Sequence, residues 1–170
     1  RPDIARRVFA EIAALMEQRA EAFAQAIALE MGAAIGFARA SQVPFAIAHV
    51  RAQIDVLRDY RFERPDAGFT LVKEAIGVCA LITPWNWPLY QITAKVAPAI
   101  AAGCPVGLKP SELSPYSARL FAEVVHDAGL PAGVFNLVNG TGEAVGAALS
   151  AHPDVAMISI TGSTRAGILV

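Results

Sequence analysis

Apolar side chains at Ile4, Val8, Ile12 and Leu15, then at Phe23 and Ile27, recur at helical steps between Pro2 and about Glu30, with arginines and glutamates between them. This spacing gathers the apolar groups on one face and predicts one or two amphipathic helices. Gly32 and Gly36 are expected to interrupt the run. A further helix is predicted where Val50, Ile54 and Leu57 form one stripe while Arg51, Asp55, Arg58 and Asp59 lie outside it. The segment "RFERPDAG" then ends the helical region, because proline, glycine and mixed charge break both common periodicities. It marks the expected boundary between an N-terminal helical region, residues 1–66, and an α/β region, residues 67–170.

Beyond Gly68 short β-branched runs alternate with helical stretches. "FTLVKEA" and "GVCALI" read as strands, Leu89 to Ala102 as helix, "PVGLK" as strand and Ser114 to Ala128 as helix. "VFNLV" follows as strand, Gly142 to Ser150 as helix and "VAMISI" as strand. Alternation of this kind implies a parallel sheet built from βαβ units with flanking helices, in which ligands gather at the carboxyl ends of the strands. No internal repeat or low-complexity tract is evident.

Composition narrows the class. The chain has 170 residues, enough for one ordinary domain with an appendage. Fourteen basic against fifteen acidic side chains give a net charge of -1, which excludes an electrostatic footprint for nucleic acid or an anionic membrane. Apolar residues reach 55%, yet the most apolar window, "VAPAIAAGCPVGL", is bounded by Lys95 and Lys109 and carries Pro98 and Pro105. It falls short of the roughly 20 residues a membrane span needs. Two cysteines, with no metal-ligand spacing to each other or to His49, His126 or His152, predict a reduced, cytoplasmic protein without a metal site. Arg1 is not a methionine and Val170 falls inside an apparent element, so a piece of a longer chain is expected.

Four predicted strands end in unusual loops: "TPWNWP" after Ile82, "KPSE" after Leu108, "NGTGEAVG" after Val138 and "TGST" after Ile160. In the first, Asn86 stands between Trp85 and Trp87, inside Pro84 and Pro88. Its amide either bonds its own turn or points into a cleft, where a neutral donor stabilises a developing oxyanion without protonating it. In the second, Lys109 and Glu112 set a cation and a carboxylate on one loop. That pair suits ribose hydroxyls and opposes a 2′-phosphate; the competing reading is a solvated ion pair with Ser111 capping the next helix. In the third, Gly140, Gly142 and Gly146 are spaced one residue wider than the dinucleotide fingerprint, and taken alone they fit better a plain glycine turn that lets a helix start close to the sheet. In the fourth, Gly162, Ser163 and Thr164 offer either a phosphate contact or a helix cap.

Taken in this order and at these intervals, the four loops resemble the aldehyde dehydrogenase superfamily. The resemblance runs from about Gly77 to Gly167 through "GVCALITPWNWPLYQITAKVAPAIAAGCPVGLKPSE", "AGLPAGVFNLVNGTGEAVGAAL" and "ISITGSTRAG", and more loosely through "LEMG" at Leu29 to Gly32. It implies a Rossmann-like sheet, incomplete in these residues, and an NAD(P)-dependent oxidation of an aldehyde to a carboxylic acid through a cysteine thiohemiacetal and thioester. Asn86 resembles the oxyanion-hole asparagine. Lys109, Ser111 and Glu112 resemble the residues at the adenosine ribose, with Ile82, Thr83, Pro84 and Trp85 lining the same cleft. Gly142 and Gly146 resemble the glycines at the adenine end, and Thr161, Gly162 and Ser163 the loop at the pyrophosphate. Glu112 implies NAD as cofactor, with NADP possible through Ser111 and Lys109.

The family's nucleophilic cysteine and its glutamate base lie further along the chain than "TGST", and neither is found before Val170. Cys79 and Cys104 read as buried apolar thiols with no basic neighbour to activate them. Two positions depart from the family pattern: Ile160 stands where phenylalanine is usual, and Gly107 where a β-branched residue is usual, which should weaken its strand. The resemblance implies a small aldehyde substrate and a homo-dimer or homo-tetramer for the whole protein. Two other readings stay open: a non-catalytic nucleotide-binding or oligomerising module, and an acylating, coenzyme A-dependent relative.

Overall fold

In the computed structural model residues 2–170 are described; Arg1, where the expected N-terminal region begins, lies outside them. Helix α1 (Pro2–Gln18) and helix α2 (Ala20–Met31) meet at Arg19. Helix α2 stops at Gly32, whose φ of 76° is the left-handed conformation that glycine adopts without a Cβ penalty, and whose N–H donates to the Ala28 carbonyl at 3.0 Å. The expected interruption at Gly36 is not found. Gly36 lies inside a short helix α3 (Ile35–Phe37), which runs through a π-helical turn at Ala38–Gln42 into α4 (Val43–Asp59). Neighbouring residues there supply enough helical register to carry one glycine.

The helical region ends before "RFERPDAG" as expected, and that segment forms the first half of a β-hairpin. Strand β1 (Glu63–Asp66) pairs antiparallel with β2 (Phe69–Val72), and Gly68 takes a φ of 82° in the turn. The Asp66 carboxylate accepts from the Ala67 N–H at 2.8 Å, an Asp-xxx-Gly turn of the kind that joins hairpin strands. The strand expected over "FTLVKEA" is therefore shorter and lies outside the parallel sheet. Both strands are exposed along their whole length, so no buried face imposes the alternation by which a strand is recognised.

The α/β region follows as β3 (Val78–Ile82), α5 (Pro88–Ala101), β4 (Val106–Lys109), α6 (Pro115–Asp127) and β5 (Phe135–Leu137). A π-helical turn, Gly142–Gly146, then leads into α7 (Ala147–Ala151), β6 (Val155–Ile160) and α8 (Thr164–Leu169). Four parallel strands stand in the order β5-β4-β3-β6. From β3 the chain steps outward to β4 and β5, then returns to the far side of β3, so the order reverses between β3 and β6. In open sheets that reversal leaves a crevice beyond the carboxyl ends of the strands.

Alternation along the strands divides the sheet into two faces. Cys79, Leu81, Val106 and Leu108 enter one continuous core with α5 and α6, and behind these helices with α1, α2 and α4. The N-terminal helices thus pack on the outside of the α/β layer. On the opposite face, Ile82 approaches Gly146 and Leu149 approaches Gly107, where a Cβ would meet Leu149 Cδ2 at 3.9 Å. That is an ordinary van der Waals contact, so nothing in the structure explains glycine at 107 in a strand whose pairing is regular. Among the described residues no helix is long and apolar enough to cross a membrane.

Candidate functional site

Because β3 to β6 are parallel, the four loops singled out in the sequence all open on one edge. Backbone hydrogen bonds bind their roots together. The Thr83 N–H donates to the Lys109 carbonyl at 3.1 Å, the Thr161 N–H to the Ile82 carbonyl at 3.1 Å, and the Val138 N–H to the Leu108 carbonyl at 2.9 Å. Ile82, Thr83, Lys109 and Thr161 are thereby neighbours, and Gly146 joins them, its missing Cβ 4.0 Å from Ile82 Cδ1. The Thr83 hydroxyl is buried without a hydrogen-bond partner. An unpaired buried hydroxyl is costly, and a bound water or a ligand group can satisfy it.

Lys109 and Glu112 form the charged pair at the end of β4. Lys109 Nζ donates to a Glu112 carboxylate oxygen at 3.0 Å; the lysine side chain is 4% exposed and that of the glutamate 51%. This is not the solvated pair of the competing reading, because the cation is buried and presents the carboxylate outward. The Glu112 carboxyl is held below the usual carboxylate range, first by its own backbone N–H and then by Lys109. Ser111 is buried, and its hydroxyl accepts from the Leu113 N–H at 3.3 Å. It does not cap the next helix, which starts at Pro115.

In the turn after β3, Trp85 and Asn86 are exposed and Pro84 is half-buried. Among the described residues no side-chain hydrogen bond ties the Asn86 amide to its own turn. Trp87 faces the other way: its ring meets Phe37 and Phe45 edge-on at 5.6 and 6.1 Å, and Tyr90 at 6.0 Å. His49 completes the group, 5.1 Å from Phe45 and 4.9 Å from Tyr90. Edge-to-face packing of this kind holds rings rigidly, so the turn that presents Asn86 rests on an aromatic platform shared with α4.

The remaining expected positions are less engaged. Gly142 is exposed with open space where a Cβ would stand. The cap of that turn is Thr141, whose hydroxyl accepts from the Ala144 N–H at 3.2 Å. Gly162 and Ser163 are exposed, and the Ser163 hydroxyl caps α8 by accepting from the Ala166 N–H at 3.2 Å. Cys79 and Cys104 are both buried, and burial, with Cys104 alongside, pushes the Cys79 thiol up to about 11. A thiol so raised is a poor nucleophile at neutral pH.

Sequence reasoning missed three groups. Lys95, on α5, donates to the Ser159 hydroxyl on β6 at 2.8 Å, and burial lowers its pKa from the ordinary lysine value. It lines a cavity of ≈ 460 Å³ with Cys79, Cys104, Met157 and Ser159, which none of the expected site residues lines. A single cation in the apolar run "ITAKVAPAIA" was the available signal. The aromatic platform of Phe45, His49 and Tyr90 had none, because it joins two distant segments. Glu30, in the last turn of α2, reaches the first turn of α6.

Comparison with known proteins places this arrangement. Residues 3–170 match the model of the aldehyde dehydrogenase family. Over 161 residues the chain is 52% identical to a 3-succinoylsemialdehyde-pyridine dehydrogenase from a Pseudomonas species, covering 94% of this chain and 34% of that protein. The fold superposes on aldehyde dehydrogenase C from Pseudomonas syringae, solved with NAD+ and octanal, with a TM-score of 0.98 and 66% identity, covering 99% of this chain and 35% of that one. A betaine aldehyde dehydrogenase from Staphylococcus aureus, solved with NAD+, gives a TM-score of 0.92 at 31% identity, covering 98% and 35%. The chain thus spans about a third of the length of these relatives.

Proposed function

The chain belongs to the aldehyde dehydrogenase family, and from that premise we propose that residues 67–170 form the cofactor-binding part of an NAD-dependent enzyme that oxidises an aldehyde to a carboxylic acid. The observation that carries the reading is the Lys109–Glu112 pair, a buried cation presenting an exposed carboxylate at the carboxyl end of β4. A carboxylate so held accepts from vicinal ribose hydroxyls and repels a 2′-phosphate, which favours NAD over NADP. Support also comes from the relative with 66% identity, solved with NAD+.

The residues at this edge fit such a cofactor. The orphaned Thr83 hydroxyl lacks a polar partner, and open space at Gly142 admits a flat group beside the helix that follows. Ile82, Pro84 and Trp85 would wall the cleft, Lys109, Ser111 and Glu112 would hold the ribose, and Thr161, Gly162 and Ser163 would meet the pyrophosphate. When bound, the cofactor supplies a hydride acceptor.

The chain's own contribution to chemistry rests on Asn86. An exposed amide free of its own turn is a neutral hydrogen-bond donor for the oxyanion that develops as a nucleophile adds to the aldehyde carbonyl. The rigid prolines and the rings beneath fix the donor before the reaction, so little reorganisation is needed at the barrier. The nucleophile and the base that activates water are assigned outside residues 1–170, since Cys79 and Cys104 are buried in the core.

Calorimetric titration of the chain with NAD+ and NADP+ tests this reading. NAD+ should bind more tightly, and Glu112→Gln should weaken NAD+ by about tenfold while narrowing the difference between the two. Equal affinity of the unaltered chain for both nucleotides would remove the role given to Glu112.

A further inference from the structure

Helices α2 and α6 are joined at both ends by charge. Glu30, in the last turn of α2, accepts from the backbone N–H groups of Tyr116 at 2.7 Å and Ser117 at 3.1 Å. Arg19, immediately before α2, pairs with Asp127, the last residue of α6. A carboxylate thus meets the positive end of the α6 dipole and a guanidinium meets its negative end. For α2 the same carboxylate is misplaced, because it sits at that helix's own negative end. Its position is explained by α6.

Helix α6 has no cap of its own. The Ser114 side chain makes no capping bond, and the hydroxyls of Ser114 and Ser117 are both buried without partners. The first N–H groups of a helix lack intrahelical acceptors, and here Glu30 supplies them from 86 residues away. The turn it holds is continuous with the loop that carries Lys109 and Glu112. That loop is fixed on its strand side by the Thr83 N–H to the Lys109 carbonyl, and it is folded back by the Ser114 N–H to the Ser111 carbonyl at 3.1 Å. Pro110 and Pro115 stiffen its two ends. Glu30 is the side chain that fixes the helix end of the same loop.

We propose that Glu30 is a positioning residue for nucleotide binding: by holding the first turn of α6 it fixes the loop from which Glu112 presents its carboxylate. The inference rests on the ribose role proposed for Glu112, and Glu30 itself does not touch the cofactor. It gives the N-terminal helices a part in cofactor affinity that their distance in sequence conceals.

The test combines amide hydrogen exchange with NAD+ titration of the unaltered chain, Glu30→Ala, Glu30→Gln, Glu112→Gln and the Glu30→Ala/Glu112→Gln double variant. In Glu30→Ala, exchange at Tyr116 and Ser117 should rise about tenfold while the amides of α5 keep their protection, and NAD+ affinity should fall about threefold to tenfold. Glu30→Gln, which keeps one acceptor oxygen, should recover part of both losses, and it carries the comparison if the alanine variant fails to fold. In the Glu112→Gln background, adding Glu30→Ala should change affinity by less than twofold, because the two residues act through one contact. Additive losses, or unchanged exchange at Tyr116 and Ser117, would overturn the inference. If Glu112→Gln leaves NAD+ affinity intact, the ribose assignment falls, whereas faster exchange at Tyr116 and Ser117 would still establish the hold of Glu30 on the loop.

Discussion

The two sides of the parallel sheet are built to different standards. On the side of α5 and α6 the strand residues Cys79, Leu81, Val106 and Leu108 are buried, and two layers of helix stand behind them. At the carboxyl edge, Asn86, Glu112, Gly142 and Ser163 are exposed, and Thr83 is left with an unpaired hydroxyl. One part supplies the packing free energy; the other spends polar groups on positions where packing gains nothing. On the proposed function, stability and chemistry are separable in this molecule, and substitutions on the two sides should have distinct signatures.

The sharpest contrast lies between Phe121 and Asn86. Phe121 on α6 is 1% exposed and meets the ring of Phe135 on β5 edge-on at 5.8 Å. Phe121→Ala should cost about 3–5 kcal/mol through lost transfer energy and a residual cavity, read as a fall in the urea midpoint. If that midpoint moved by less than a quarter of this, the helix layer would not be the seat of stability. Asn86→Ala should do the reverse. In the whole protein aldehyde turnover should fall about a hundredfold or more, while the unfolding midpoint stays within about 0.5 kcal/mol. A comparable loss of stability would show that the amide serves its turn after all.

A smaller effect separates the two sides by pH. The Glu112 carboxyl is held below the usual range by its own N–H and by Lys109. A carboxyl lowered on folding contributes stability that is present above its unfolded pKa, near 4.3, and is lost as pH falls through the lowered folded value. With half of its surface in water the contribution should stay below about 1 kcal/mol. Urea midpoints of the unaltered chain and Glu112→Gln should therefore differ slightly at pH 7 and converge as acidification protonates the Glu112 carboxyl in the folded state. A gap that widened in acid would contradict the pairing seen here.

Much of this architecture was legible in the chain. The apolar stripes at Ile12, Phe23 and Val50 mark helices because a 3.6-residue period needs only local neighbours to be read. The strand at Val78–Ile82 and the helix from Pro88 are likewise marked by β-branched runs and a proline at a first turn. Of the hairpin at Glu63–Val72 the second strand was legible and the first was missed, since a strand exposed on both faces carries no alternation. Gly36 was misread because helix continuity there depends on flanking residues that outweigh one poor helix former.

For the candidate site, the sequence alone determined which residues stand at the strand ends, because each motif follows its own strand by local rules of turn and cap. Only the tertiary structure decided which of them are presented and which are consumed. It buried Lys109 while leaving Glu112 exposed, set Trp87 on an aromatic platform from α4 and brought Glu30 to the start of α6. Those outcomes depend on contacts between segments tens of residues apart, and no periodicity or spacing records them. Packing chooses the partner, and the partner decides whether a polar side chain is left free to meet a ligand.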